Sequence, residues 1–214
     1  MTESTFNLDV FLRGDRDYVQ GTQIVSRVAE LLGDGEWILD AAQFTRLSTR
    51  MLLADDSSAA TMAGAIARVQ FAEPTGKNRS FVLTEGADPA PRRARPMPIA
   101  VTRQNGSSGT DKAIWDYSGV SGFEDMANVI VQAIKAEHGE RWPGCRDVWL
   151  TGFRRLGLPV AGRFPDAGRI ALTLYRQLGE HGLFQNIWQV ALPDIGLEGM
   201  VTFAFRAPEA GDGH

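Results

Sequence analysis

The hydrophobic pattern changes its period along the chain, and this predicts two helices set among β-strands. Apolar residues recur at helical spacing through residues 19–32, and Gly33 is expected to end that helix. The same spacing at residues 123–134 predicts a second helix, which Gly139 is expected to end. Apolar and polar residues alternate elsewhere, which predicts strands at residues 6–13, 37–53, 64–71, 79–84, 99–103, 148–160, 170–174, 183–188 and 201–205.

The predicted elements occur in the same order in both halves of the chain, which indicates a repeat. The dipeptide Asp-Tyr begins each helical segment, at residues 17–18 and 116–117, and FTRL at 44–47 corresponds to FRRL at 153–156. Coincidence of such short segments is the alternative explanation. Residues 86–98 hold four prolines and three arginines, which predicts an extended connector. We therefore predict an N-terminal unit at residues 1–86, a connector at 87–98, a C-terminal unit at 99–207 and a flexible tail at 208–214.

Composition narrows the class of protein. The chain has 214 residues, of which 43% are hydrophobic, and its formal net charge is −4, which makes nucleic acid an unlikely main partner. A single cysteine, Cys145, excludes an internal disulfide framework and fits a reducing compartment. The first residues lack the basic and apolar regions of a signal peptide, and no apolar run is long enough for a membrane span. We therefore expect a cytoplasmic protein with no membrane partner.

Two segments of the chain resemble a known family. The sequence DYSGV at residues 116–120 is similar to the D-x-x-G-H segment that enters the helix in the 4-hydroxybenzoyl-CoA thioesterase family, and residues 17–22 are a looser match. The order of elements resembles a double hotdog. The resemblance implies an α+β fold of tandem hotdog units, each a long central helix wrapped by a curled antiparallel sheet. The family's histidine is replaced by Val120 in one copy and by Thr22 in the other, and the asparagine pair that follows is absent.

The resemblance also implies a substrate and the place of a site. The substrate would be an acyl thioester of coenzyme A or of an acyl carrier protein, with no resident cofactor, and the chain would be a monomer (a pseudo-dimer) or a homodimer. The site would lie between the two units near each helix N-terminus, where free N–H groups can polarise a carbonyl. Gly21 or Gly119 would let the substrate approach the backbone, and Thr22 could hold a water or an acyl oxygen.

Several acidic and amide residues are candidates for the chemistry. Asp116 is the first candidate for a base or nucleophile, and Asp17 is its counterpart in the first half. Either aspartate could instead cap a helix. The resemblance also makes Glu124, in the first turns of the second helix, a catalytic candidate, and it makes the nearby Asp125 and Asn128 candidates for substrate binding. The alternative for these acids is a favourable interaction with the helix dipole, which needs no catalytic role.

The histidines and the cysteine help to decide which activity is the first hypothesis. His138, His181 and His214 follow no dehydratase or hydratase motif, and His138 is expected at a helix C-terminus, where a cation is favoured. No set of residues has metal-ligand spacing, and Cys145 is expected to be a spectator. The first hypothesis is therefore a thioesterase. The alternatives are a non-catalytic double hotdog that binds an acyl ligand or a partner protein, and a hotdog dehydratase or hydratase.

Overall fold

A computed structural model describes most of the chain. The described residues are 5–13, 15, 19–33, 36–41, 49–55, 65–73, 75–93, 99–104, 112–154, 164–180 and 182–206. Within them the helices are α1 (Gly21–Leu32), α2 (Phe123–Arg141) and a short 3-10 turn (Pro193–Ile195). The strands are β1 (Thr5–Leu8), β2 (Leu12–Arg13), β3 (Glu36–Ala41), β4 (Thr49–Asp55), β5 (Ala65–Ala72), β6 (Asn78–Pro89), β7 (Arg92–Arg93), β8 (Ala100–Arg103), β9 (Lys112–Ser118), β10 (Arg146–Arg154), β11 (Ala167–Glu180), β12 (Leu183–Leu192) and β13 (Leu197–Arg206).

Eleven of these strands form one antiparallel sheet. Their order is β1-β4-β6-β5-β3-β10-β13-β12-β11-β9-β8, and β2 and β7 form a separate parallel pair. The two halves of the chain meet at the centre, where β3 pairs with β10 and Leu39 lies opposite Phe153. In the second half β11, β12 and β13 follow one another as a meander, whereas in the first half β6 lies between β4 and β5. The strands of the two halves are therefore connected in different orders.

Both predicted helices are confirmed, but one predicted end is wrong. Gly33 ends α1 with a φ of 74°, a conformation that suits glycine, and its N–H donates to the Ala29 carbonyl. The second helix continues past Gly139 to Arg141, and the Trp142 N–H closes its last turn on the His138 carbonyl. A single glycine costs a helix only about 1 kcal/mol, which tertiary packing offsets here.

The predicted strands differ from the observed ones at their bounds. The strand at 6–13 is interrupted into β1 and β2, and the last three strands are longer than their alternating cores. The dipeptide at 116–117, predicted to begin the second helix, lies instead in β9, a strand that the prediction omitted. Of the segment predicted as a connector, residues 87–89 end β6 and Arg92–Arg93 form β7. The FTRL segment at 44–47 lies outside the described residues.

The core lies between the helices and the sheet. Each helix buries the apolar face that its spacing predicts, and the strands contribute large aromatic residues. Burial of this apolar area stabilises the fold and fixes the position of each helix over the sheet. The fully buried side chains include Ile24, Val25 and Val28 of α1, Met126, Ile130 and Ile134 of α2, and Phe81, Phe153 and Phe203 of the sheet.

Candidate functional site

Polar side chains meet where α1 packs against α2. The Thr22 hydroxyl donates to Asn128 Oδ1 at 2.7 Å, and Arg27 Nη2 lies 4.0 Å from Glu124 Oε2. Thr22 precedes Arg27 in α1, whereas Asn128 follows Glu124 in α2, so the helices run antiparallel. The first turn of each helix therefore lies beside the second turn of the other. We call the group formed by Arg13, Thr22, Gln23, Arg27, Glu124 and Asn128 the interhelical cluster.

Glu124 is the acidic member of the interhelical cluster. Its side chain is only 16% exposed and forms an ion pair with Arg13. Burial raises the pKa of Glu124 above its ordinary value, although the positive charges of Arg13 and Arg27 act in the opposite direction. Asp125 beside it raises this pKa further. A carboxylate with a raised pKa is a stronger base than an exposed one, which suits proton transfer near neutral pH.

Gln23 contributes a buried amide to the interhelical cluster. Its side chain is fully buried, and its Oε1 accepts a hydrogen bond from the Phe11 N–H at 2.7 Å. The amide is close enough to Glu124 to lower the pKa of that carboxyl, yet Nε2 has no partner of good hydrogen-bond geometry among the described residues. Buried donors are normally satisfied. The Gln23 amide therefore lies beside the Glu124 carboxylate and stabilises its charged form.

The N-termini of the two helices, which follow Gln20 and Gly122, receive no cap from a described side chain. The N–H groups of a first turn have no partner within their own helix and carry a partial positive charge. Gly21 is the first residue of α1 and presents no side chain there. Asp125 is engaged in the start of its own helix, because its Oδ2 accepts the Ser121 N–H at 2.9 Å.

Asp116 lies away from the interhelical cluster. It is an exposed residue of β9 and accepts a hydrogen bond from Gln104 Nε2 at 2.8 Å. Its neighbours Trp115 and Tyr117 are buried in the core, so strand alternation directs Asp116 to the outer face of the sheet. The expectation that Asp116 stands at the start of the second helix is therefore wrong, and so is the alternative that it caps that helix.

Two further candidates have different outcomes. Gly119 lies in the loop between β9 and α2, where its φ of 83° requires a conformation that glycine adopts without strain. The next residue, Val120, is buried, and its N–H donates to the Asp166 carbonyl at 3.2 Å. Val120, which replaces the histidine of the resembled motif, is thus part of the loop's packing. Asp17 lies outside the described residues.

The structure brings together Glu124, Thr22 and Asn128 among the predicted site residues. The sequence analysis missed Arg13 and Arg27, which pair with Glu124 from elsewhere in the chain. The sequence did contain a signal for Arg27, because polar residues at positions 22, 23, 26 and 27 form a strip at helical spacing beside the apolar face of α1. No local pattern marks Arg13, which reaches the cluster only through the packing of the N-terminal strand against both helices.

His138 occupies a separate buried site at the other end of α2. It is fully buried, its Nδ1–H donates to the Ile134 carbonyl at 2.8 Å, and the Asn186 amide donates to its Nε2 at 3.2 Å. Trp142 and Phe205 pack around the ring with centroids 5.2 and 5.1 Å away. Burial lowers the pKa of His138, so the ring is neutral, and the expected helix-end cation is wrong. It lies about 21 Å from Glu124 along the helix axis, too far to share a reaction with it.

Protonation of His138 should make the folded protein sensitive to acid. Because the folded pKa lies below the unfolded value of about 6.5, the unfolded chain binds more protons as the pH falls through that range. We expect the free energy of unfolding to be highest above about pH 6.5 and to decrease below it. Between about pH 7.5 and about pH 5.5, the free energy of unfolding measured with urea should decrease less in His138→Gln than in the wild type. Equal losses would show that His138 does not take up this proton.

Two kinds of site are not found in the part of the chain that the structure describes. No group of three histidine, cysteine, aspartate or glutamate side chains there could hold a metal ion. None of the described helices is long and apolar enough to cross a membrane. His181 and His214 lie outside the described residues.

Solved structures resemble this chain over nearly its whole length. A protein assigned as a thioesterase, from Novosphingobium aromaticivorans, gives a TM-score of 0.50 at 13% identity, covering 96% of this chain and 94% of that one. The TesB protein of Mycobacterium avium subspecies paratuberculosis gives 0.51 at 8% identity, covering 96% and 93%. A protein assigned as a thioesterase II, from Thermobifida fusca, gives 0.51 at 10% identity, covering 95% and 91%.

These similarities define the fold. No protein-family model matches the sequence, and no curated protein matches it either. At identities of 8–13%, structural likeness shows a shared fold and leaves the activity to be argued from the site. The chain has the hotdog fold, which is the fold that the resemblance implies.

Proposed function

We propose that the chain is a tandem double hotdog that hydrolyses acyl thioesters at the interhelical cluster. The proposed units are residues 1–86 and 99–207, joined by residues 87–98. The meeting of β3 with β10 and the antiparallel packing of α1 on α2 support this division, because each half contributes one helix and one set of strands. Fusion of two units would let their sites diverge, so a single copy of the catalytic acid suffices.

Glu124 is the observation that carries the proposal. A half-buried carboxylate with a raised pKa lies in the first turn of α2, next to α1, and a raised pKa suits a general base. In the proposed reaction Glu124 removes a proton from water as the oxygen attacks the thioester carbonyl carbon. The C–S bond then breaks, and the departing sulfur takes the proton. The products are a carboxylic acid and a free thiol.

The developing negative charge on the carbonyl oxygen needs donors. In this proposal the donors are first-turn N–H groups of a helix and the Nε2 amide of Gln23, which lies beside Glu124. The hydrogen bond between Thr22 and Asn128 holds the two helices at this point, and Asn128 shares a helix face with Glu124. Arg13 and Arg27 lower the pKa of Glu124 against the larger effect of burial, and neither need touch the substrate.

The carrier of the acyl group is coenzyme A or an acyl carrier protein in this proposal, and the reaction needs no resident cofactor. Hydrolysis requires only water and a base, which the cluster supplies. A cytoplasmic location agrees with the single cysteine, because both thioester carriers and free thiols persist in reducing compartments. The two fused units would form one site as a monomer, or two such chains would pair as a homodimer.

A binding module without catalysis is the second candidate. The ion pair of Glu124 with Arg13 favours it, because a carboxylate held by an arginine is a weaker base than an unpaired one. A dehydratase or hydratase is less well supported, because His138 is buried far from Glu124.

The proposal is tested with the purified protein and a panel of acyl-CoA thioesters of different lengths, by following release of free thiol. We expect catalytic hydrolysis of at least one of them, with the matching carboxylic acid identified by mass spectrometry. A raised melting temperature with a thioester but no turnover would favour the binding module instead. Absence of both turnover and binding across coenzyme A and carrier-protein thioesters would contradict the proposal.

A further inference from the structure

A cavity of about 320 Å³ lies at the C-terminal end of α1. Leu31 and Leu32 form its helical wall, and Phe71 of β5 and Phe81 of β6 form its floor on the sheet. Phe6 of β1 closes one side. The polar residues of the lining, Glu73, Thr75 and Arg79, belong to the turn that joins β5 to β6 and to the start of β6. Five apolar and three polar side chains thus line the cavity.

This cavity and the interhelical cluster lie along the same helix. Leu31 is one turn beyond Arg27, which places it about 6 Å further along the axis and on a neighbouring part of the same face. Arg27 Nη2 is 4.0 Å from Glu124 Oε2, and Arg27 Nε donates to the Asp9 carbonyl at 3.0 Å. Asp9 directly follows β1, the strand that brings Phe6 to the cavity. Glu124 and the cavity therefore lie beside successive turns of α1.

The cavity has an exposed apolar wall and a rigid floor. Leu31 is 40% exposed, which makes it one of four large apolar residues so exposed in the described part of the chain. Phe81 is fully buried and Phe71 is 5% exposed, so both rings are fixed by the surrounding sheet. Covering Leu31 with hydrocarbon removes apolar surface from water, which is favourable in proportion to the area. The apolar side chains of the lining are the part of the cavity against which a hydrocarbon chain could pack.

We infer that this cavity binds the hydrocarbon part of the acyl group whose thioester carbonyl is held at Glu124, and that the substrates are medium-length linear acyl thioesters. This inference rests on the proposed function. The volume is near the lower end of ligand pockets, about 300 to 1,000 Å³, which disfavours long chains. Acetyl thioesters are too short to reach beyond Arg27 and would gain nothing from the cavity.

The test compares kcat/KM for acetyl-, butyryl-, octanoyl- and palmitoyl-CoA. Each methylene buried in the cavity should raise kcat/KM about fourfold until the cavity is full, with octanoyl-CoA preferred over acetyl-CoA and palmitoyl-CoA. Leu31→Trp should occupy the cavity and lower the ratio of octanoyl to acetyl kcat/KM at least about tenfold. Phe6→Ala should enlarge the cavity and shift the preference towards palmitoyl-CoA.

The matched control is Leu183→Trp, the same change at a 51% exposed leucine of β12, which should leave the ratio of octanoyl to acetyl kcat/KM unchanged.

A binding measurement separates this inference from the proposed reaction. Calorimetry of Glu124→Gln with octanoyl-CoA and acetyl-CoA reports chain-length preference without turnover, and Leu31→Trp should remove that preference. If the protein hydrolyses thioesters but neither Leu31→Trp nor Phe6→Ala changes the ratio of octanoyl to acetyl kcat/KM, the cavity assignment is overturned and the thioesterase proposal stands. Tighter octanoyl-CoA binding that Leu31→Trp abolishes, in a protein that hydrolyses no thioester, would support the cavity and overturn the reaction. Equal binding of both thioesters would overturn the cavity assignment.

Discussion

Glu124→Gln is expected to lower kcat for thioester hydrolysis about 100- to 10,000-fold, which is the usual effect of losing a positioned general base. Glutamine keeps the shape of the side chain and an oxygen that can accept from Arg13, so substrate binding should change little. Loss confined to kcat identifies an interaction made in the transition state. Glu124→Asp, which keeps the carboxylate but shortens its reach, should retain part of the activity, and an unchanged melting temperature would exclude unfolding as the cause.

Asp116→Asn is the matched control for this experiment. Asp116 is exposed on the outer face of β9 and is bonded to Gln104, so its charge should matter little to a reaction between the helices. We expect its kcat to stay within about twofold of the wild type, a change of less than about 0.5 kcal/mol. The opposite pattern, with Asp116→Asn inactive and Glu124→Gln active, would place the base where the family motif implies it and contradict the interhelical site.

Phe153→Ala is expected to reduce the free energy of unfolding by about 3–5 kcal/mol. Phe153 is fully buried in β10, at the centre of the sheet, where it lies opposite Leu39 of β3 and Val201 of β13. Removing the ring leaves a cavity at the point where the two halves of the chain join, and the strands on either side cannot collapse into it without losing their pairing.

Urea unfolding measures the effect of Phe153→Ala, with the transition midpoint compared at constant slope. Tyr175→Ala is a suitable control, because Tyr175 is 62% exposed and an exposed substitution usually changes stability by less than about 0.5 kcal/mol. A loss for Phe153→Ala no larger than that of the control would mean that β3 and β10 do not form the joined centre of one sheet.

The helices could be predicted from sequence because their apolar faces are continuous. Ile24, Val25 and Val28 repeat at helical spacing, and these residues are the buried ones. The strand β9 could also have been found, since Ala113, Trp115 and Tyr117 alternate with exposed residues. The resembled motif overlaps this segment, and it led to the prediction that the second helical segment begins at residues 116–117. The alternation of apolar and polar residues predicts the observed strand there, so it was more reliable than the short motif.

The strand order and the site could be predicted only in part. Alternation gives the strands but cannot place β6 between β4 and β5, because that order depends on packing between distant segments. Glu124 was found as an acid at a helix start, and Thr22 and Asn128 as polar residues near helix starts. Arg13 lies 111 residues from Glu124 in sequence, and only the tertiary structure reveals their ion pair. The pKa of the carboxyl therefore could not be anticipated from the sequence.

The most direct test of Glu124 as the base is the pH dependence of kcat/KM in Arg13→Gln, with Arg13→Lys as a charge-conserving control. The activity requires the Glu124 carboxylate, so kcat/KM falls as the pH decreases through its pKa. The positive charge of Arg13 lowers that pKa, so its removal should raise the pKa and move the acidic limb to higher pH. We expect this upward shift in Arg13→Gln and little shift in Arg13→Lys. An acidic limb at the same pH in all three proteins would contradict Glu124 as the base.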